Sequence, residues 1–242
     1  MKTALVIIAM GEVYWKYAQA LIDSAKKFLF PHDVFVFTDR VPILNGVKRQ
    51  IYVPWLGFTV ATMMRYHLVL LAKEELSTYD HIFYSDADML FASPVTEEDL
   101  LSNGIVGTEH PGYVDRPDLP EYERNQMSTA YLMRATVYLC GGFNGGTSEA
   151  YLKMAETIRT AVNVDFSNRI VARWYDESHL NRYCFDHPPA RILSPAFCYP
   201  DADDYRQAWA RVRGEAYARG VVAKLRALEK TAEELAWRGG PA

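Results

Sequence analysis

Asp86 and Asp88 stand one residue apart, directly behind the short apolar run from His81 to Ser85. In extended geometry residues i and i+2 point to the same side, so the two carboxylates are expected to converge on one spot. Hard carboxylate oxygens placed that way suit a divalent cation that also bridges substrate phosphates. Carboxylates at the end of a buried strand are costly unless they are paired or metal-bound. Asp201 and Asp203 repeat the same Asp-Ala-Asp pattern. That pair follows Pro200 and precedes Asp204, and it reads as a turn and helix N-cap.

Two further spans carry chemistry-bearing residues. Leu139 to Gly146 holds glycines at 141, 142, 145 and 146. It reads as a bulged strand running into a turn, or as backbone brought close to a ligand. Its spacing is neither that of a phosphate-binding P-loop nor that of a dinucleotide turn. Trp174 to Asn181 gathers an aromatic pair, Asp176, Glu177 and His179. An ordinary helix start explains it, with Asp176 as cap and Glu177 in the first turn. Opposite a metal-bound diphosphate, the same acids suit glycosyl chemistry. One would stabilise positive charge at the anomeric carbon and the other would act as nucleophile. His179 is read as a satisfied structural histidine.

These residues need elements to position them. Ala4 to Met10 is continuously apolar up to Gly11, as a doubly covered central strand reads. A helix is expected from Tyr14 to Phe28, strands at 33–39 and 47–53, and a helix from Thr59 or Thr62 to Leu76. The His81–Ser85 strand then delivers Asp86. This strand–helix alternation predicts a parallel α/β sheet with its binding edge at the strand C-termini. Beyond it, strands are expected at 104–109, 137–143 and 191–193, and helices at 149–162 and 176–185. The stretch from Asp203 to Trp237 is helical in composition, broken near Gly214 and Gly220. Arg116 to Pro120 is the expected mobile loop.

The chain has 242 residues, half of them hydrophobic and 13% aromatic, enough for one compact core and too apolar for a disordered chain. Net charge is −4, which gives no case for nucleic-acid binding. The charge is uneven. Eight basic and four acidic residues lie between Arg206 and Arg238, leaving an acidic body and a basic tail. Three cysteines (Cys140, Cys184 and Cys198) without a C-x-x-C pair indicate neither a disulfide framework nor a zinc site. The N-terminus looks superficially like a signal peptide, but Glu12 and Lys16 follow the apolar run, and a first strand is the better reading. No apolar run reaches the ~18 residues of a membrane span. A cytoplasmic protein is expected.

Taken in order, several strings resemble glycosyltransferase family 6, the family of the blood-group A and B transferases and the α-1,3-galactosyltransferases. They are Phe37 to Asp39, Thr62 to Arg65, Tyr84 to Met89, Gly107 to Gly112, Tyr122 to Arg124, Gly141 to Gly146, Trp174 to Asn181 and Ile192 to Pro195. The resemblance implies a GT-A-type α/β fold with a mostly parallel central sheet flanked by helices. Residues 1–202 would form the catalytic domain, with 1–90 as its nucleotide half and 91–202 as its acceptor half. Residues 203–242 would be a helical C-terminal tail. It further implies a UDP-sugar donor (UDP-GalNAc or UDP-Gal), Mn2+ or Mg2+, a galactoside-type glycan acceptor and a retained α-1,3 linkage. The soluble bacterial or phage-type members are the expected kin.

By position, Asp86 and Asp88 match the metal pair, and Ile8, Ala9 and Tyr14 match the uridine-holding segment. Ala87 lies between the metal ligands on the donor side. Arg65 matches a donor-contacting arginine, and Asp176 the acid on the donor sugar hydroxyls. Glu177 matches the nucleophile or front-face stabiliser. Cys140 and Gly142 correspond to the sugar-discriminating pair and Gly141 lies between them. Gly142 leaves room for an N-acetyl group, which favours N-acetylgalactosamine. His110, Trp174, Tyr199 and Glu177 match the acceptor side, where Glu121 stands in place of a threonine and Pro200 displaces an aspartate. A UDP-sugar hydrolase and a non-catalytic carbohydrate-binding protein are the alternatives. The basic tail (Arg211, Arg213, Arg219, Lys224, Arg226, Lys230) is read as a solvated amphipathic helix or a subunit or membrane-surface contact, ahead of a lid over the donor.

Overall fold

The computed structural model of the chain describes residues 1–200 and 204–228. It begins with β1 (Thr3–Ile8), α1 (Gly11–Phe28), β2 (Asp33–Thr38) and β3 (Arg49–Tyr52). Then come the short helices α2 (Phe58–Met63), α3 (Arg65–Leu70) and α4 (Lys73–Leu76), followed by β4 (His81–Asp86) and β5 (Met89–Phe91). Next are α5 (Glu97–Leu100), β6 (Ile105–Glu109), β7 (Leu139–Thr147), α6 (Ser148–Ser167), α7 (Tyr175–Asp186) and β8 (Arg191–Leu193). The last described elements are α8 (Asp204–Arg213), α9 (Glu215–Gly220) and β9 (Leu225–Ala227).

The main sheet has the order β3-β2-β1-β4-β7-β6-β8. Every neighbouring pair is parallel except the two made by β7, which runs against β4 and β6. β1 is central, and its side chains alternate between two cores as strand geometry requires. Leu5 and Ile7 pack with α1 on one face, and Ala4 and Val6 pack with α3, α6 and α7 on the other. Both faces are apolar because both are covered.

Three expectations change. The helix foreseen through Leu76 is broken at Met64 (φ −88°, ψ 7°) and Ala72 (φ −105°, ψ 17°). No glycine or proline marks either break; the first places Arg65 at the head of α3, inside the protein. The tail is helical in α8 and α9, but Leu225 to Ala227 forms a strand antiparallel to β5 where helix was expected. The tail is also not solvated throughout. Trp209, Ala218, Val221 and Leu225 belong to the same core as β1 and α1, and the Trp209 indole N–H donates to the Pro111 carbonyl at 2.8 Å. The second Asp-Ala-Asp pair, Asp201 and Asp203, lies outside the described residues, as does the tail beyond Leu228. No described helix is long and apolar enough to cross a membrane.

Candidate active site

A cleft of about 660 Å³ opens at the C-terminal ends of β1 and β4. Ile8, Met10, Tyr14, Trp55, Thr62, Arg65, Tyr84, Asp86, Ala87 and Asp88 line it. The parallel strands end there because crossover helices return the chain to the far edge, so several strand ends share one rim. Asp86 closes β4, but Ala87 and Asp88 form a turn and not a continued strand. The two carboxylates therefore reach the cleft by a change of chain direction, not by the alternation of an extended chain. Asp88 is anchored by its backbone, its carbonyl accepting from Leu228 N–H at 2.8 Å.

Arg65 is the hub. It is 6% exposed, with Nε 2.8 Å from Asp176 Oδ2 and Nη2 3.1 Å from Asp86 Oδ1. Nη1 donates to the Gly141 carbonyl, and the guanidinium lies 4.2 Å from the Tyr84 ring centroid. The Tyr84 hydroxyl adds a bond of 2.8 Å to Asp86 Oδ1. Burial works against the charge on Arg65, but Asp176 and Asp86 hold the guanidinium firmly protonated.

α7 presents the acids. Its first residue, Tyr175, has φ 50°. This left-handed conformation costs a side-chain-bearing residue roughly 1–2 kcal/mol. The turn aims Asp176 and Glu177 at β7. Asn181, one helical turn on, clamps the helix to that strand: Oδ1 accepts from Leu139 N–H at 2.9 Å, and Nδ2 donates to the Leu139 carbonyl at 2.8 Å. Glu177 Oε2 then accepts the Gly141 N–H at 2.7 Å. Burial pushes Glu177 up to about 7, an effect the Gly141 N–H and Tyr138 offset and the Asp176 charge reinforces. Burial likewise pushes Asp176 up to about 6, against the pull of Arg65.

The four glycines divide by role. A side chain on Gly145 would strike Phe83 at 2.3 Å, and one on Gly146 the Gly104 carbonyl at 2.4 Å, so these two serve packing. A Cβ on Gly141 would sit 3.2 Å from Arg65 Nη1 and 3.4 Å from Glu177 Oε2. One on Gly142 would sit 3.4 Å from Asp86 Oδ2. Gly141 and Gly142 thus form a bare floor between Asp86 and Glu177.

The other sequence-derived residues are spread more widely. Ile8, Tyr14, Arg65, Asp86, Ala87 and Asp88 share the cleft, whereas Ala9 is fully buried and Cys140 nearly so. His110 packs against the Tyr113 and Tyr138 rings, and burial lowers it to about 4, leaving it neutral. Its Nδ1 accepts from Gly112 N–H at 3.1 Å, so the proton sits on Nε2. Glu121 pairs with Arg173 at the surface, and Trp174, 42% exposed, lies 5.6 Å from the Arg173 guanidinium. Tyr199 faces the tail: its ring meets Trp209 edge-on at 5.5 Å, and its hydroxyl accepts from Arg206. His179 is structural as expected, buried with Nε2 3.6 Å from Asp165 Oδ2.

Sequence reasoning passed over Tyr84, Trp55, Tyr138, Asn144 and Asn181. Tyr84 stands two residues before Asp86 in a strand, which puts it on the same side. Trp55 is an aromatic between Pro54 and Gly57 just after β3, where a turn borders the strand ends. Asn144, whose Nδ2 donates to the Gly141 carbonyl at 3.0 Å, lies within the glycine run itself. Nothing in the sequence pointed to Tyr138 or to Asn181 as a clamp.

A buried cation joined to two carboxylates, a glycine floor and a raised third carboxylate make a site for a ligand that carries negative charge and a reacting carbon. Known proteins agree with this arrangement. Globoside α-1,3-N-acetylgalactosaminyltransferase 1 of Mus musculus is 31% identical over 216 residues, covering 81% of this chain and 60% of that protein. Histo-blood group ABO system transferase 1 of Rattus norvegicus is 32% identical over 208 residues, covering 77% and 58%. O-antigen biosynthesis glycosyltransferase WbnI of Escherichia coli is 26% identical over 209 residues, covering 80% and 86%. The chain thus spans about 60% of the length of these two mammalian relatives. The model of glycosyltransferase family 6 matches residues 2–219, from β1 through α8 and into α9. With the match running through every element that builds the site, this chain belongs to glycosyltransferase family 6, a family of GT-A-like fold.

Proposed function

We propose that this chain is a retaining glycosyltransferase that moves N-acetylgalactosamine or galactose from a UDP-sugar to a galactoside-type acceptor, forming an α-1,3 linkage. The observation that carries this reading is the Gly141–Gly142 floor, with Asp86 at one end and Glu177 at the other. A sugar lying across it has its phosphate end towards Asp86 and its reacting carbon towards Glu177.

Asp86 and Asp88 fit a hard divalent cation. Both line the cleft and are partly exposed, and Asp86 commits Oδ1 to Arg65 and Tyr84 while Oδ2 faces Gly142. Two protein carboxylates completed by substrate phosphates are how Mg2+ and similar ions bind. Among the described residues no cluster of three metal-ligating side chains offers another place. Bound there, Mn2+ or Mg2+ would neutralise charge on the diphosphate.

The protein's own groups do the rest. Arg65 holds Asp176 in place to accept hydrogen bonds from sugar hydroxyls. The floor carries no side chain, so the sugar can lie close to the backbone. Glu177, as the anion, stabilises positive charge at the anomeric carbon or bonds to it covalently. The C1–O bond electrons leave with UDP, and the acceptor hydroxyl completes the transfer with net retention.

The test is a panel of UDP-sugars with Mn2+, followed by UDP release with and without galactosides. Acceptor-stimulated release is expected. Release indifferent to acceptor would make the chain a hydrolase, and glycan binding without release a carbohydrate-binding protein. Glu177→Gln is expected to lower transfer by roughly 10²–10⁴-fold while leaving UDP affinity unchanged; near-normal turnover in that variant sinks the assignment.

A further inference from the structure

The floor has a wall on one side that family motifs do not mark. Cys198 ends the short 3-10 turn Pro195–Cys198, and its Sγ lies 3.3 Å from where a Cβ on Gly142 would stand. The opposite limit is Asp86 Oδ2 at 3.4 Å from the same point. The space that Gly142 leaves by having no side chain is therefore bounded by a thiol and a carboxylate.

The thiol has little freedom to withdraw. On one side of it, Phe197 stacks on Phe143 of β7 with centroids 6.0 Å apart and planes 15° from parallel. On the other, Tyr199 N–H donates to the Leu225 carbonyl and the Tyr199 carbonyl accepts from Ala227 N–H, both at 2.8 Å. Cys140 lies two residues before Gly142 on β7, and its thiol hydrogen-bonds with that of Cys198. That bond, burial and the nearby carboxylates raise Cys198 well above the ordinary thiol range, so it stays neutral. The backbone is pinned on both flanks and the side chain is tied to its neighbour.

We propose that Cys198 sets the size limit on the substituent that the transferred sugar presents to Gly142, and so divides donors bearing an N-acetyl group from those bearing a hydroxyl. This rests on the UDP-sugar reading above. Gly142 alone does not open the site, because the volume it frees ends at a side chain from another part of the chain. Shortening residue 198 widens that volume, and branching it closes the volume.

The test compares Cys198→Ala and Cys198→Val with the unaltered protein. Affinities for UDP-N-acetylgalactosamine and UDP-galactose are measured by calorimetry, and UDP release is followed with each donor separately. Cys198→Ala is expected to shift the ratio towards the N-acetyl donor by about tenfold, and Cys198→Val to shift it the other way by a similar factor. A folding defect weakens both donors together and leaves the ratio unmoved, so the ratio isolates the wall. Should Cys198→Val fold poorly, Cys198→Thr provides the branched side chain. Ratios that stay put in folded alanine and branched variants overturn the proposal. Binding whose ratio moves as expected, with no turnover by the unaltered protein, upholds the wall and removes the transferase reading. Failure of the unaltered protein to bind either donor removes both.

Discussion

The donor cleft and the basic tail use charge in opposite ways. In the cleft, one cation and three acids from four separate elements are gathered around a glycine floor: Arg65 (α3), Asp86 (β4), Asp176 and Glu177 (α7). In the tail the buried element is an indole, Trp209, while the charges sit around its edge. Arg213 pairs with Glu109 and Asp115, and Lys224 donates to the Pro94 carbonyl and approaches Asp99. The tail's net charge thus does not mark it as a loose polycationic arm. Part of that charge is committed to acids of the body, and its apolar residues complete the core behind β1. Electrostatic strain is concentrated where a ligand arrives, and apolar packing is used where the chain must simply close.

This contrast can be tested by cutting each region at its centre. Arg65→Met leaves Asp176 and Asp86 without their buried cation. It is expected to destabilise the fold by about 3–5 kcal/mol in urea unfolding and to abolish UDP affinity. A loss under about 1 kcal/mol would show that the cleft does not depend on its cation as described. Trp209→Ala removes the tail's anchor and is expected to cost about 3–5 kcal/mol. Its signature differs, because the surviving folded fraction keeps UDP affinity. Equal loss of affinity in both variants would erase the distinction between the regions.

pH separates them further. Glu177 titrates at about 7 and Asp176 at about 6 in the folded chain, against ordinary values of 4.5 and 3.8. Between the ordinary and folded values the native state binds more protons than the unfolded one, so these groups make stability fall as pH rises from about 4 to about 7. Transfer runs the other way, rising through about 7 as Glu177 ionises. Denaturant unfolding and initial rates over pH 5–8 measure both slopes, and Glu177→Gln should flatten most of the stability slope. The smallest effect is expected from Arg213→Ala, a partly exposed pair worth about 1 kcal/mol or less and reduced by salt. A larger, salt-insensitive loss would place real electrostatic work in the tail.

The parts of this molecule legible in its sequence are those whose cause is local. β1, β2 and β4 are apolar runs, and α1 is an amphipathic helix with Glu12 in its first turn and Lys26 and Lys27 in its last. Asp86, Asp176 and Glu177 were visible because acids beside buried elements are unusual. What stayed hidden depends on distant partners. The break before Arg65 is made by Asp176, Asp86 and Gly141 drawing its side chain inward. β9 has three residues and no alternation to announce it; only β5 makes it a strand. Cys198 looked like one unpaired cysteine of three until the fold set it against Gly142. The Asp86–Asp88 pair was found on a correct residue choice with the wrong local geometry, a turn standing where extension was expected.

The pairing of β5 with β9 also orders events in time. Met89 meets Ala227, and Leu228 N–H reaches back to the Asp88 carbonyl. Synthesis runs from the N-terminus, and domains fold as their segments emerge. Every acid of the cleft is therefore made long before the strand that braces the Asp88 turn, and closing so long a loop is entropically costly until the intervening core has formed. Maturation of the site is governed by the arrival of a late, three-residue strand. A nascent chain arrested before Leu225 would hold all the reactive groups and lack the brace at Asp88.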